Sequence, residues 1–405
     1  MPSNRGVNTS TRMRTSCSII AAVAVVLASL AVLGALVPTI PALGTIGTLL
    51  EGFLTLHVVL LALVGTALGW TAVARGAGRF TRVIAILGIA AVAGSLVPLV
   101  ALVQLAHQTG APLSWSMHLR VVPGGPALVP DETQLYASPG GKPLHVDIYR
   151  PRAPQPQGRS TPVVMMHGGG FVVGQRSGGT LNWDRWFTQR GYTVFDVDYR
   201  LSPPVSWNLA APDVACALTW IAAHADHYHV AADRALLAGQ SAGGGLAMQV
   251  AYGLADGTVT SSCGGVAVSP RAVVALYPPD DLALPWRLNA GLGPVSARRF
   301  NTAYIGGSPE EFPDRYRAVS PVFHIRADSA PTLIGAGEHD HLVPLAGHLD
   351  ARERLNRAGV PNVLIAVPYG EHGYDGAWGG LGSQITQHAV EEFLAHHAPA
   401  YAGPG

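Results

Sequence analysis

A serine lies at the centre of the pentapeptide Gly-Gln-Ser-Ala-Gly, at residues 239–243. The pattern Gly-x-Ser-x-Gly is typical of a sharp strand-to-helix turn that exposes a nucleophilic hydroxyl, because glycine removes the side chains that would clash there. The surrounding residues predict an apolar strand at 235–238 and a helix at 246–254. The pattern therefore predicts Ser241 as a nucleophile. An ordinary serine in a glycine turn is the alternative.

A glycine cluster, His167-Gly168-Gly169-Gly170-Phe171, directly follows a predicted strand at 162–166. Nucleophilic attack on an ester carbonyl places negative charge on its oxygen. Backbone N–H groups aimed at that oxygen stabilise the charge, and side chains would block the approach. The cluster precedes Ser241 in the chain, which favours an oxyanion-binding loop over a merely flexible glycine loop.

A nucleophilic serine needs an acid and a histidine, which follow a serine on this kind of turn in that order. Asp340 comes after a predicted strand at 332–336 and is our candidate acid, with Glu338 in the same loop as its competitor. His372 lies in a loop after the predicted strand 363–367 and precedes a glycine, so we predict it to be the general base. Five further histidines are predicted to be surface or core residues: His339, His341, His388, His396 and His397.

Strand and helix patterns alternate through the part of the chain that carries these residues. The predicted strands are 144–149, 162–166, 192–197, 235–238, 272–277, 332–336 and 363–367. The predicted helices are 211–225, 246–254, 345–358 and 384–397. The alternation predicts an α/β fold with a mostly parallel sheet covered by helices on both faces. The stretch 278–321 breaks the pattern and is predicted as an excursion over the sheet edge.

Three apolar runs near the N-terminus, at about 18–37, 53–74 and 83–106, each have the roughly 20 residues that cross a bilayer. We interpret 1–106 as a membrane anchor with three transmembrane helices, 107–130 as a linker and 131–400 as the catalytic domain. The first run resembles a signal peptide, but two more spans follow, so we favour an uncleaved helix. The spans hold no Asp, Glu, Lys or Arg, which favours an anchor over a transport pathway.

Arginines on one side of the spans predict the orientation of this anchor. Arg5, Arg12 and Arg14 precede the first span, and a second group lies between the second and third spans, whereas the first loop carries only Glu51. By the positive-inside rule the N-terminus is cytoplasmic, and everything after His107 is outside. We therefore expect a multi-pass integral protein of the cell membrane with an extracytoplasmic catalytic domain.

The composition excludes several other classes of protein. With 26 Lys and Arg against 25 Asp and Glu among 405 residues, no basic surface for nucleic acid is expected. The three cysteines fit neither a disulfide framework nor a zinc site, so we expect idle thiols. At most Cys216 and Cys263 could pair. No metal or organic cofactor is expected.

The segment from about Asp131 to His397 resembles the α/β-hydrolases of the hormone-sensitive-lipase-like esterase group, which includes bacterial carboxylesterases. The matching motifs are 146–151 (Val-Asp-Ile-Tyr-Arg-Pro), His167–Phe171, 198–203 (Asp-Tyr-Arg-Leu-Ser-Pro), Asp213, 239–244, Ser320-Pro321, the Asp340 loop and His372-Gly373. Gln240 stands where this group usually has an acidic residue. The chain before the glycine cluster is too short for a large lipase-type cap.

The resemblance implies a role for each motif residue. Ser241 would attack, His372 would take and return its proton, and Asp340 would fix the imidazole tautomer. The oxyanion donors would be the N–H groups of Gly169, Gly170 and Ala242. His167 and Gly168 would support the loop.

The resemblance thus implies a serine carboxylic-ester hydrolase acting on small-molecule or lipid esters. Two alternatives are a peptidase or amidase with the same triad and a non-catalytic scaffold. The length of the catalytic segment argues against the first, and the presence of all three triad residues argues against the second.

Overall fold

The computed structural model describes residues 5–120, 128–152 and 158–401. Much of the Pro/Gly-rich part of the predicted linker, residues 121–127, lies outside the described residues. The described chain forms two compact units. The first comprises the described parts of Met1–Pro123 together with Val367–Ile385, and the second comprises those of Gly124–Ala366 and Thr386–Gly405. The domain boundaries at 106 and 131 stay predictions.

The helices, in chain order, are α1 (Arg5–Leu36), α2 (Leu43–Ala74), α3 (Arg79–Thr109), α4 (Trp115–Leu119), α5 (Leu181–Gln189), α6 (Ala210–Ala223), α7 (Ala225–Tyr228), α8 (Ala242–Asp256), α9 (Ala283–Arg287), α10 (Ala297–Ile305), α11 (Pro313–Val319), α12 (Leu345–Arg357) and α13 (Leu381–His397). The strands are β1 (Glu132–Ala137), β2 (Leu144–Tyr149), β3 (Pro162–Met166), β4 (Thr193–Val197), β5 (Leu236–Gln240), β6 (Ala272–Leu276), β7 (Gly291–Leu292), β8 (Val295–Ser296), β9 (Thr332–Gly337) and β10 (Asn362–Val367).

Three long apolar helices dominate the first unit. Arg12–Leu36, α2 and α3 are each long and apolar enough to cross a membrane. Small residues let them approach closely: a Cβ added to Gly65 would lie 2.9 Å from the Cβ of Ala24, and one added to Gly69 would lie 3.1 Å from the Cβ of Ala85. Large apolar side chains such as Ile19 point outward. Small residues between helices and large apolar ones outside are typical of membrane helix bundles.

Helix α2 differs from its predicted span. It begins at Leu43 rather than at residue 53, and its backbone leaves helical geometry at Leu54, with φ −127° and ψ 26°. This kink lies where the predicted apolar span begins. The residues before the kink therefore form an extension of the helix beyond the predicted span, and Glu51 belongs to that extension.

The second unit is built on a sheet in the order β1-β2-β4-β3-β5-β6-β9-β10. Strands β3 to β6 and β9 pair in parallel, whereas β2 is antiparallel to β1 and β4. Every residue of β3, β4 and β6 is buried. Continuous burial means that both faces of the sheet are covered, as parallel sheets require. The predicted α/β fold with a mostly parallel sheet is confirmed.

Two features of the second unit differ from the expectations. Cys216 and Cys263 form a disulfide with their Cα atoms 5.4 Å apart, so the expectation of idle thiols is wrong for this pair. The two residues are 47 positions apart, and only folding brings α6 and the stretch after α8 together. The stretch 278–321 is also more ordered than a plain excursion, since it contains α9, α10, α11 and the β7–β8 hairpin.

Candidate active site

Ser241 occupies the strained turn between β5 and α8. Its backbone has φ 53° and ψ −122°, which is unusual for a residue with a side chain, and its N–H donates to the Leu276 carbonyl at 2.8 Å. A Cβ on Gly239 would lie 2.4 Å from the Gly243 carbonyl oxygen, and one on Gly243 would lie 2.2 Å from that of Met166. Only glycine fits at these two positions, which explains the Gly-x-Ser-x-Gly pattern physically.

The glycine cluster after β3 lies beside this serine. A Cβ on Gly168 would be 3.2 Å from the Cβ of Ser241. Gly169 and Gly170 have φ values of 115° and 61°, which favour glycine. Within the described part of the chain, the N–H groups of Gly169, Gly170 and Ala242 donate to no protein acceptor. The structure thus brings the predicted nucleophile and the predicted oxyanion loop together.

His167 holds the first residue of this loop through contacts in the buried core. It is 2% exposed and stacks on Tyr199, with ring centroids 4.4 Å apart, and the Tyr199 hydroxyl donates to its carbonyl at 2.8 Å. Burial lowers the pKa of His167 below its usual value, so the ring is neutral at pH 7. Its Nδ1 lies 2.7 Å from the Gly168 carbonyl, and because a carbonyl only accepts, Nδ1 carries the proton. These contacts fix the start of the loop.

Asp340 follows β9 and is held by its own loop. Its Oδ1 accepts hydrogen bonds from the N–H groups of Leu342 at 2.8 Å and Val343 at 2.7 Å. The residue is 6% exposed, whereas Glu338 is exposed. A carboxylate fixed by two backbone donors is suited to orient an imidazole, and the exposed Glu338 is not held in that way.

An open cleft of about 370 Å³ lies at Ser241. It is mostly apolar, and its lining comprises Gly170, Phe171, Ser241, Ala242, Pro279, Pro285, Ala297, Phe300, Asn301, Leu342 and Val343. Several of these residues come from the stretch 278–321, where the sequence shows no strand or helix pattern. Trp183 and Trp186 are buried core residues and are not among the lining residues.

Comparison with known proteins identifies the family. The BD-FAE family model matches residues 146–355, just over half of the chain. The chain belongs to the BD-FAE family. The match includes the glycine cluster, Ser241 and Asp340, whereas the three long helices and His372 lie outside it.

Several similar proteins are named as esterases or ester hydrolases. The BD-FAE chain is 27% identical over 272 residues to "Probable carboxylic ester hydrolase LipM" of Mycobacterium tuberculosis, covering 65% of this chain and 62% of the relative's length. It is 30% identical over 251 residues to ethyl acetate hydrolase of Pseudomonas putida, covering 58% and 72%. The solved structure of a thermophilic esterase from Thermogutta terrifontis superposes with a TM-score of 0.52, at 26% identity, over 65% of this chain and 91% of that one. The resemblance to hormone-sensitive-lipase-like α/β-hydrolases is confirmed.

His372, the predicted base of the BD-FAE site, lies on the segment 367–385 of the first unit. It follows β10 and precedes Gly373, whose φ is 73°. The N–H of His372 donates to Oε1 of the preceding Glu371 at 2.9 Å. That His372 joins Ser241 and Asp340 in a triad stays a prediction.

Among the described residues of the BD-FAE chain, no group of three His, Cys, Asp or Glu side chains is arranged to hold a metal ion. The residues that sequence reasoning missed are the cleft residues Phe300 and Asn301. No periodic pattern indicated them, because both lie on α10, a helix of only 9 residues.

Proposed function

We propose that this protein is a serine carboxylic-ester hydrolase that acts through an acyl-enzyme. The observation that carries the proposal is Ser241 on its strained turn, beside a glycine loop in which the N–H groups of Gly169 and Gly170 donate to no acceptor among the described residues. Such a pair places a nucleophile next to preformed donors for a developing oxyanion.

In this proposal the Ser241 hydroxyl attacks the ester carbonyl while His372 takes its proton. The N–H groups of Gly169, Gly170 and Ala242 stabilise the resulting oxyanion. His372 then protonates the departing alcohol, which leaves an acyl ester on Ser241. Water attacks that ester with His372 again as base, so that the acid is released and the hydroxyl is restored. Asp340 holds the imidazole in the required tautomer.

We propose esters with short acyl chains as substrates. The cleft at Ser241 is mostly apolar, and Phe300 lies directly against Gly170, because a Cβ on that glycine would be 2.5 Å from the Phe300 ring. An apolar cleft with an aromatic ring beside the glycine loop favours a short apolar acyl group over a long one. The name of the ethyl acetate hydrolase agrees with this class, and the name of the LipM relative agrees with carboxylic esters in general.

We further propose that the three long helices anchor the enzyme in the cell membrane with its catalytic part outside. Three observations support this anchor and its orientation. The helices meet the length and hydropathy of membrane spans. Arg14 and the loop before α3 lie together, since the Arg14 guanidinium donates to the Gly76 carbonyl at 3.3 Å, which gathers cations at one end. The Cys216–Cys263 disulfide fits an oxidising compartment.

Hydrolysis of p-nitrophenyl acetate and butyrate by the full chain in detergent tests the activity. We expect Ser241→Ala to lower kcat by about 10⁴-fold or more, because triad residues act as a unit. A fluorophosphonate probe should label the wild type and spare the variant. Full hydrolysis by Ser241→Ala would contradict the proposal, and faster cleavage of a matched anilide than of the ester would favour a peptidase or amidase.

A further inference from the structure

The segment 367–385, which carries His372, packs in the first unit against the start of helix α2. The carboxylate of Glu371 is the centre of this contact and is 4% exposed. One of its oxygens, Oε1, accepts the backbone N–H of His372 at 2.9 Å. The other, Oε2, lies 2.8 Å from the hydroxyl of Thr48 on α2. A single carboxylate thus joins a residue of α2 to the backbone of the predicted catalytic base.

The Thr48 hydroxyl has one proton and three acceptors within reach. The carbonyl oxygens of Gly44 and Thr45 are each 3.0 Å away, and Glu371 Oε2 is 2.8 Å away. The carboxylate is the shortest of the three contacts and the strongest acceptor, since hydrogen bonds to ionised groups are roughly twice as strong as neutral ones. Thr48 is fully buried, so no water competes for its proton.

Further contacts hold the same segment along its length. A Cβ on Gly52 of α2 would lie 3.4 Å from the Tyr369 carbonyl oxygen, so the segment's backbone lies directly on that helix. At the other end, the Gln384 side chain accepts the Ser114 N–H at 2.7 Å and donates to the Gly379 carbonyl at 2.8 Å. Both ends of the segment are therefore fixed by residues that belong to or follow the long apolar helices.

Helix α2 places Thr48 outside the apolar span that the sequence predicts. The kink at Leu54 separates the start of the helix, which carries Thr48 and Gly52, from the predicted span at 53–74. The freed backbone N–H of Leu56 donates to Nε2 of His118 at 3.2 Å, which holds the kink. The start of α2 thus makes polar contacts as well as apolar ones.

From these contacts we propose that Thr48 and Glu371 are positioning residues for His372, so that the start of α2 helps to hold the proposed base in place. This inference rests on the proposed function, because it takes His372 as the base. Loss of the Thr48 hydroxyl would remove one of the hydrogen bonds that hold the Glu371 carboxylate and let the His372 backbone shift. Small displacements of a catalytic base lower turnover far more than they lower substrate binding.

The test uses the full chain in detergent, with short p-nitrophenyl esters and thermal unfolding measured for each variant. Thr48→Val removes the hydroxyl at nearly constant volume, and we expect kcat to fall by about ten-fold with KM within two-fold. Thr48→Ser keeps the hydroxyl and should restore kcat. Thr66→Val is the matched control on the same helix, because the Thr66 hydroxyl donates only to its own helix, at the Ala62 carbonyl, and it should behave as wild type.

A double-mutant cycle separates positioning from general damage to the fold. Glu371→Gln should lower kcat by at least as much as Thr48→Val, and Thr48→Val should add little in that background, because both act on His372 through the same carboxylate. Wild-type kcat in Thr48→Val, an equal loss in Thr48→Ser, or additive losses in the double variant would overturn the inference. Failure of the proposed function is seen separately, as a wild-type chain that the fluorophosphonate probe does not label at Ser241.

Discussion

At the scale of single residues, two carboxylates compete for one role. Asp340 is 6% exposed and has Oδ1 held by two backbone N–H groups, whereas Glu338 in the same loop is exposed. An acid that fixes an imidazole must itself be fixed, because its effect depends on orientation as well as on charge. The structure therefore favours Asp340 over its neighbour.

Asp340→Asn should lower kcat for short esters by about 10³- to 10⁴-fold, because an amide stabilises the wrong imidazole tautomer. Glu338→Gln makes the same chemical change two residues away and is the matched control, expected to remain within about two-fold of wild type. Both variants are compared by steady-state hydrolysis and by their thermal unfolding midpoints. A severe loss in Glu338→Gln with an active Asp340→Asn would exchange the two assignments.

At the scale of elements, helix α10, which lies within the stretch 278–321, packs against the glycine loop after β3. Phe171 of the loop stacks on Tyr304 of α10 with ring centroids 4.0 Å apart, and both residues are buried. Phe300 of the same helix lines the cleft beside Gly170. One short helix thus contacts both the glycine loop and the cleft.

Phe300→Ala should shift the preference towards longer acyl chains, because it removes the ring that lines the cleft beside Gly170. We expect kcat/KM for octanoate relative to acetate to rise by about ten-fold or more, in line with the 1–3 kcal/mol that one filled or unfilled apolar contact contributes to discrimination. A series of p-nitrophenyl esters from acetate to decanoate measures the ratio. Arg298→Ala on an exposed position of α10 is the control, and an unchanged profile in Phe300→Ala would contradict the assigned role.

The elements that the sequence predicted well are those whose patterns are local. The strand at 144–149 alternates apolar and polar residues, and β2 has those bounds. The turn at Ser241 was predictable because its glycines are required by contacts within a few residues and with the adjacent strand β3. The cleft residue Phe300 and the Cys216–Cys263 bond were not, because each depends on contacts between distant parts of the chain. The contact of Thr48 could not be predicted for the same reason, since its partner Glu371 is 323 residues away in sequence.

At the scale of the whole molecule, each of the two compact units is built from two separate stretches of the chain. The segment 367–385 belongs to the first unit although it lies far beyond residue 123 in the sequence. In the proposed anchor, this segment and the start of α2 lie on the same side of the membrane, because the Glu371 carboxylate and the Thr48 hydroxyl are in contact.

The orientation can be tested with one natural residue, because Lys142 is the only lysine in the chain and is exposed. With the catalytic part outside and the N-terminal amine in the cytoplasm, a membrane-impermeant amine-reactive biotin should label Lys142 in intact spheroplasts. Lys142→Arg keeps the charge but is not acylated by the reagent, so labelling should disappear in that variant and return at the N-terminus once the membrane is permeabilised. Labelling of Lys142 only after permeabilisation would place the hydrolase in the cytoplasm and reverse the orientation that the arginines predict.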